Sequence, residues 1–154
     1  MRRLLLVFGL ICVAGLSSCS TGNKNKALLV RSFPTLSWER FDFVENKIDF
    51  KKPDTYNLVL NASFDPSYTY KYFSVVFSVF DEQGNPFRSR SYKFRLKEND
   101  GSWKSILQDG YYHFSFPINS ELTINEPGTY LFQLENRMPI TPLHGIKEIS
   151  INYQ

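Results

Sequence analysis

The sequence predicts an all-β protein: an antiparallel two-sheet β-sandwich of about seven or eight strands. Three observations carry that expectation. Apolar and polar residues alternate at period two in one segment after another, with no sustained helical period. Clusters of Gly, Pro, Asn and Asp punctuate those segments. Aromatics make up 16% of the chain and hydrophobics 42%, enough apolar surface to exclude a disordered chain. At 154 residues the chain suits a single domain.

The N-terminus reads separately from the fold. Met1-Arg2-Arg3 is a basic start, and Leu4–Leu16 is apolar apart from Gly9 and Gly15. Thirteen helical residues reach about 20 Å, short of the ~30 Å core of a bilayer. The segment is therefore expected to be a signal peptide over residues 1–18, cleaved between Ser18 and Cys19. Leu16-Ser17-Ser18-Cys19 resembles a bacterial lipobox, which makes Cys19 the expected lipid attachment point. Residues 19–36 are expected to be the lipidated cysteine and a flexible tether, and residues 37–154 the sandwich. Residues 20–26 hold no acid, which favours a domain facing the periplasm from the outer membrane.

Along the body, Trp38–Val44 is a weak first strand. Tyr56–Phe64 puts Tyr56, Leu58, Leu60, Ala62 and Phe64 on one face, and Tyr70–Phe80 does the same for Phe73, Val75, Phe77 and Val79. Phe87–Leu96 alternates again, and Asp81–Pro86 is a loop joining the last two as a hairpin. Tyr111–Phe116, Glu121–Ile124, Thr129–Leu134 and Ile146–Tyr153 follow. Trp103, Ile106 and Leu107 stand at i, i+3, i+4, which predicts one short helical turn near residues 102–108, or an edge loop under the sheets. Pro127-Gly128 suits a type II turn. Gly128-Thr129-Tyr130 suits a tyrosine corner, in which the phenol bonds back to nearby backbone, or an ordinary turn.

Little catalytic chemistry is available. Loss of the leader removes Cys12, and lipid would occupy Cys19, leaving no thiol for redox, nucleophilic or metal chemistry. His113 and His144, the two histidines, have no metal-ligand spacing. The acidic clusters at Asp81-Glu82 and Glu98–Asp100 lack the ligand series of a calcium loop. No phosphate-binding, nucleophile-elbow or dinucleotide motif is present. The chain is therefore expected to be no enzyme, to need no cofactor and to hold no metal. The leader takes Arg2 and Arg3 and no acid, leaving 16 Lys+Arg against 15 Asp+Glu. That near-neutral balance argues against a nucleic-acid partner.

Contact surfaces are the remaining candidates. Arg88, Arg90, Lys93, Arg95 and Lys97 divide between both faces of one strand, as on a solvent-facing edge strand kept soluble by charge. The alternative is a contact for an acidic partner. Tyr68, Tyr70 and Tyr72 at i, i+2, i+4 would form a ladder. Buried, it walls the sandwich; exposed, it offers a glycan platform or a protein interface.

Several late features occur in a specific order: Gly101-x-Trp103, then Pro127-Gly128-Thr129-Tyr130-Leu131-Phe132, then Arg137-Met138, then Leu143-x-Gly145-Ile146 and a final apolar strand. Together with the lipobox they resemble the gliding motility lipoprotein GldH family. Pro139 and Pro142 stand where that family usually has a basic residue after the Met. The resemblance implies a lipid-anchored envelope protein that supports gliding machinery and the secretion system coupled to it, through contacts with other envelope proteins. It implies lipidation at Cys19. Trp103, Gly128, Tyr130, Gly145 and Ile146 are carried over as fold or interface determinants. Tyr68, Tyr70, Tyr72, Trp103 and Arg137 are the candidate interface.

Overall fold

A computed structural model of the chain describes residues 26–153. Its strands are β1 (Lys26–Ser32), β2 (Ser37–Trp38), β3 (Val44–Phe50), β4 (Asp54–Phe64), β5 (Tyr72–Phe80), β6 (Pro86–Arg95), β7 (Leu107–Gln108), β8 (Tyr111–Ile124), β9 (Gly128–Asn136), β10 (Leu143–His144) and β11 (Ile146–Tyr153). Every pairing is antiparallel. One sheet runs β1-β11-β4-β8-β7, the other β3-β9-β5-β6, and β10-β2 form a two-stranded clip. The architecture is the expected all-β two-sheet sandwich, with β2, β7 and β10 as two-residue additions.

The core lies where the alternation puts it. Leu58, Leu60, Ala62 and Phe64 of β4 face Phe73, Val75, Phe77 and Val79 of β5, all buried. Phe132 and Leu134 of β9, Ile149 and Ile151 of β11 and Trp38 complete it. Full burial of each such side chain contributes about 1.5–3 kcal/mol. The Asp81–Pro86 hairpin closes as expected: Asp81 accepts from the Asn85 backbone and side chain.

Five sequence expectations are corrected. The tether does not extend to residue 36, because Lys26–Ser32 pairs with Tyr153–Glu148 as an edge strand and buries Leu28 and Leu29. Trp38–Val44 is not one strand: Ser37–Trp38 clips to Leu143–His144, a turn follows, and the sheet strand starts at Val44. Residues 102–108 form no helical turn. Trp103 bridges to Lys97, whereas Ile106 and Leu107 point to solvent, so the three never share a buried face. Gly128 has φ 157°, far from the roughly +80° that a type II turn needs at that position. Tyr111–Phe116 and Glu121–Ile124 are parts of the single strand β8, whose register shifts against β4 near Leu58. Residues 1–18 and Cys19 lie outside the described residues.

The tyrosine corner forms. Tyr130 Oη donates to the Glu126 carbonyl at 3.1 Å, and its ring meets Phe50 and Phe87 edge-on. Tyr130→Phe keeps the packing and removes one bond to an exposed carbonyl that water can serve. It is expected to cost about 1 kcal/mol, read as a lower urea midpoint with an unchanged slope. A variant as stable as the wild type would show that the bond adds nothing.

Candidate functional site

Pairing fixes which loops share an end of the sandwich. β1 begins opposite the end of β11, and β3 ends where β9 begins. The chain therefore enters at the end that carries residues 51–53, 81–85 and 125–127. The other end, about 30 Å away along β9 at ~3.3 Å per residue, gathers residues 33–43, 65–71, 96–106 and 137–142. Among the described residues, seven large hydrophobics are exposed, and five of them stand at this distal end: Phe41, Tyr72, Ile106, Leu107 and Ile140.

Phe41 is 70% exposed at a left-handed φ of 66°, a conformation costly for a bulky residue. The surrounding bonds hold it. Arg31 pairs with Asp42 at 2.6 Å, Trp38 Nε1 donates to the Asp42 carbonyl, and Arg40 Nη2 donates to the Met138 carbonyl at 2.7 Å.

The five predicted interface residues all fall at the distal end, in different settings. Tyr68 is core. It sits in the turn after Pro66, its amide bonded to the Asp65 carbonyl and its ring packed against Phe64 at 4.7 Å. Its Oη donates to the Tyr72 carbonyl at 2.7 Å, and burial, then Tyr70 beside it, hold the phenol well above its ordinary value. The three tyrosines therefore form no ladder, because the strand starts only at Tyr72. Tyr70 is half-buried, edge-on to Tyr68, and Tyr72 is 40% exposed with the Lys93 ammonium 4.6 Å from its ring centroid.

Trp103 is half-buried and engaged within the fold. Its indole stacks on Tyr112 at 4.1 Å, and the Lys97 ammonium lies 4.3 Å from the ring centroid. Lys97 is only 9% exposed; it donates to the Tyr68 carbonyl at 2.6 Å, and burial lowers its pKa. Arg137 is exposed at the end of β9, its guanidinium on Glu135 at 3.1 Å.

Two shallow hollows join Arg137 to the tyrosines. One, of about 230 Å³, is lined by Tyr70, Lys71, Tyr72, Ser74, Lys93, Met138 and Pro139. The other, of about 150 Å³, is lined by Arg40, Arg137, Met138 and Pro139. Met138 and Pro139 line both. Arg40 and Lys71 were not anticipated, and Lys93 only within its basic strand. The four cations come from four segments, so no local spacing announces them.

The basic strand is an edge, as expected: β6 pairs with β5 alone. Its inner residues close the sandwich against β8. Phe94 stacks on Phe116 at 4.1 Å, and Tyr92 donates to the Ile118 carbonyl. His113 is exposed and bonds across the sheet to Ser63 at 2.8 Å; His144 is exposed on β10. Among the described residues, no three His, Cys, Asp or Glu side chains stand together as metal ligands would.

Comparison with known proteins identifies the family of the chain. Among solved structures, one similar chain is a family 35 carbohydrate binding module from Clostridium thermocellum, with 11% identity and a TM-score of 0.37 over 71% of this chain and 68% of that one. At that overlap the likeness carries no ligand across. No curated protein matches. The family profile described as GldH lipoprotein matches residues 29–152, from the first strand to the last. That span takes in Gly101-x-Trp103, the tyrosine corner and Leu143-x-Gly145-Ile146, and the chain belongs to the GldH lipoprotein family.

Proposed function

We propose that the protein is an accessory subunit of the cell envelope, held in the outer membrane by lipid on Cys19 with its domain facing the periplasm. It serves gliding motility and the coupled protein secretion through contacts with other envelope proteins, without catalysis. The observation that carries this reading is the gathering of exposed apolar side chains at the end opposite the chain's entrance. Seven peptide steps separate Cys19 from Lys26 and reach at most about 25 Å. The entrance end stays near the bilayer, and the distal end projects where a partner can meet it.

Cys19→Ala is expected to abolish membrane association and move the protein to the soluble fraction. A variant that stays lipid-labelled and membrane-bound overturns the anchor. The contact reading is tested by a photocrosslinking residue at position 72 or 140, compared with one at position 52 on the opposite end. Crosslinks to motility or secretion components from the distal positions alone support it. Equal yields from both ends, or none from the distal end, overturn it.

A further inference from the structure

We infer that the partner presents an acidic, extended segment, which lies across the distal rim of the sheet β3-β9-β5-β6; this rests on the contact reading above. The rim carries a continuous band. Arg40 precedes β3, Arg137-Met138-Pro139 follows β9, Tyr70-Lys71-Tyr72 leads into β5, and Lys93 stands on β6 opposite Ser74. The two hollows make this one surface, since Met138 and Pro139 line both. Four neighbouring strands span about 14 Å at ~4.8 Å spacing, a distance that four or five extended residues cross.

The charge of the band is unbalanced. Among the described residues, Arg40, Lys71 and Lys93 have no carboxylate within ion-pair distance. Each is held instead by a neutral group: Arg40 by the Met138 carbonyl, Lys71 by the Asn99 carbonyl at 2.8 Å, Lys93 by the Tyr72 ring. The acids that could have answered them are turned elsewhere. Glu98 takes Arg95 and Lys104, Glu39 takes Thr141, and Asp100 is held by the Ser102 amide and hydroxyl and feels the Lys71 charge only from beyond ion-pair distance. Arg137 is the fourth cation: its own side chain is largely exposed, and its guanidinium meets the more covered Glu135 at 3.1 Å.

Chemistry between the cations points to a peptide rather than a bare polyanion. Tyr70 and Tyr72 border a hollow floored by Met138 and Pro139, which suits one apolar side chain. Tyr and Arg are the residues that carry binding energy in protein interfaces. Carboxylates on alternate residues of an extended strand would reach Arg40, Arg137 and Lys93 in turn, with apolar neighbours over the tyrosines.

The test uses the lipidated full chain in nanodiscs and two fluorescent peptides. One alternates glutamate with phenylalanine; its counterpart carries glutamine for glutamate. The glutamate peptide is expected to bind at least about tenfold more tightly at about 0.05 M salt, and the advantage should shrink at about 0.3 M as the charges are screened. The double variant Arg40→Glu, Lys93→Glu and the single variant Tyr72→Ala should each lose about tenfold. Tyr72→Phe and the opposite-end control Lys51→Glu, Lys52→Glu should bind as the wild type does. These positions are on the surface, and matched melting curves confirm folded variants.

Equal binding of the two peptides, preference for heparin over the glutamate peptide, or equal loss in the opposite-end control overturns the inference. The crosslink at position 72 separates the two readings. A complex that survives Arg40→Glu, Lys93→Glu in membranes keeps the contact function and rejects the acidic segment. Absence of any complex in the wild type rejects the contact function itself.

Discussion

Gly145→Ala is expected to destabilise the domain by about 3–4 kcal/mol, a large fraction of the roughly 5–15 kcal/mol that holds an ordinary domain together. Two causes act at one atom. Gly145 has φ 86°, a region that L residues enter only with strain. A Cβ there would also stand 2.8 Å from the Tyr68 Cα, Cβ and backbone nitrogen, so backbone rather than a flexible side chain must give way. Gly145 also donates to the Leu36 carbonyl at 2.7 Å, and its own carbonyl accepts from Asp65 at 2.8 Å. A shift would therefore disturb the loops at 36 and 65 together, with the Tyr68 ring between Phe64 and Trp103.

Gly84→Ala supplies the comparison. Gly84 has a similar φ of 82° but nothing within 4 Å of the added carbon, so it should cost only about 1 kcal/mol. Both are read from urea midpoints at matched slope. Equal costs would mean that the close approach to Tyr68 contributes nothing and that backbone conformation alone explains the residue.

What was legible in the chain was periodicity, and what was missed was its interruption. Leu58, Leu60, Ala62 and Phe64 announce a buried face because β4 keeps strict alternation over that stretch. β1 was hidden because Leu28 and Leu29 are consecutive and both buried; the bulge between Ala27 and Leu29 breaks the parity a strand normally shows. Tyr68, Tyr70 and Tyr72 show the reverse error. Their spacing imitates a strand, but Pro66 and the turn bond from Tyr68 to Asp65 delay β5 until Tyr72. Trp103, Ile106 and Leu107 likewise imitate a helix. Ile106 is 80% exposed, so no shared apolar face exists to stabilise one. The cationic band was illegible for a different reason. Arg40, Lys71, Lys93 and Arg137 meet only because β3, β9, β5 and β6 are neighbours, an order that does not follow the chain.

Trp103→Ala is expected to cost about 3–4 kcal/mol, although the indole is only half-buried. The ring joins several elements at once. It stacks on Tyr112 of β8, approaches Phe64 of β4 at 6.4 Å and Tyr68 at 6.3 Å, and supports the Lys97 ammonium. Its bridge to Lys97 closes the 98–102 turn, where the Glu98 amide donates to the Ser102 carbonyl at 2.8 Å. Removing the ring leaves a buried cation with the Tyr68 carbonyl as its remaining hydrogen-bond partner.

The cost should therefore be coupled to Lys97. In the double variant Trp103→Ala, Lys97→Met the loss should fall short of the sum of the single losses by about 0.5–2 kcal/mol, because no unsupported charge remains. The pH dependence follows from the direction of the Lys97 shift. Burial lowers the folded pKa below the ordinary 10.5, so between those values the unfolded chain binds more protons and stability rises with pH. Below the folded value the penalty is constant. Burial raises Tyr68, which lowers stability as pH climbs past its ordinary 10.0, but that loss is common to wild type and Lys97→Met. The difference between those two proteins should accordingly move in favour of the wild type as pH approaches 10.5. Additive single losses and a pH-independent difference would reduce Trp103 to packing alone. Unchanged stability in Trp103→Ala with loss of partner crosslinks at position 72 would instead make the indole a contact residue, its support of Lys97 incidental.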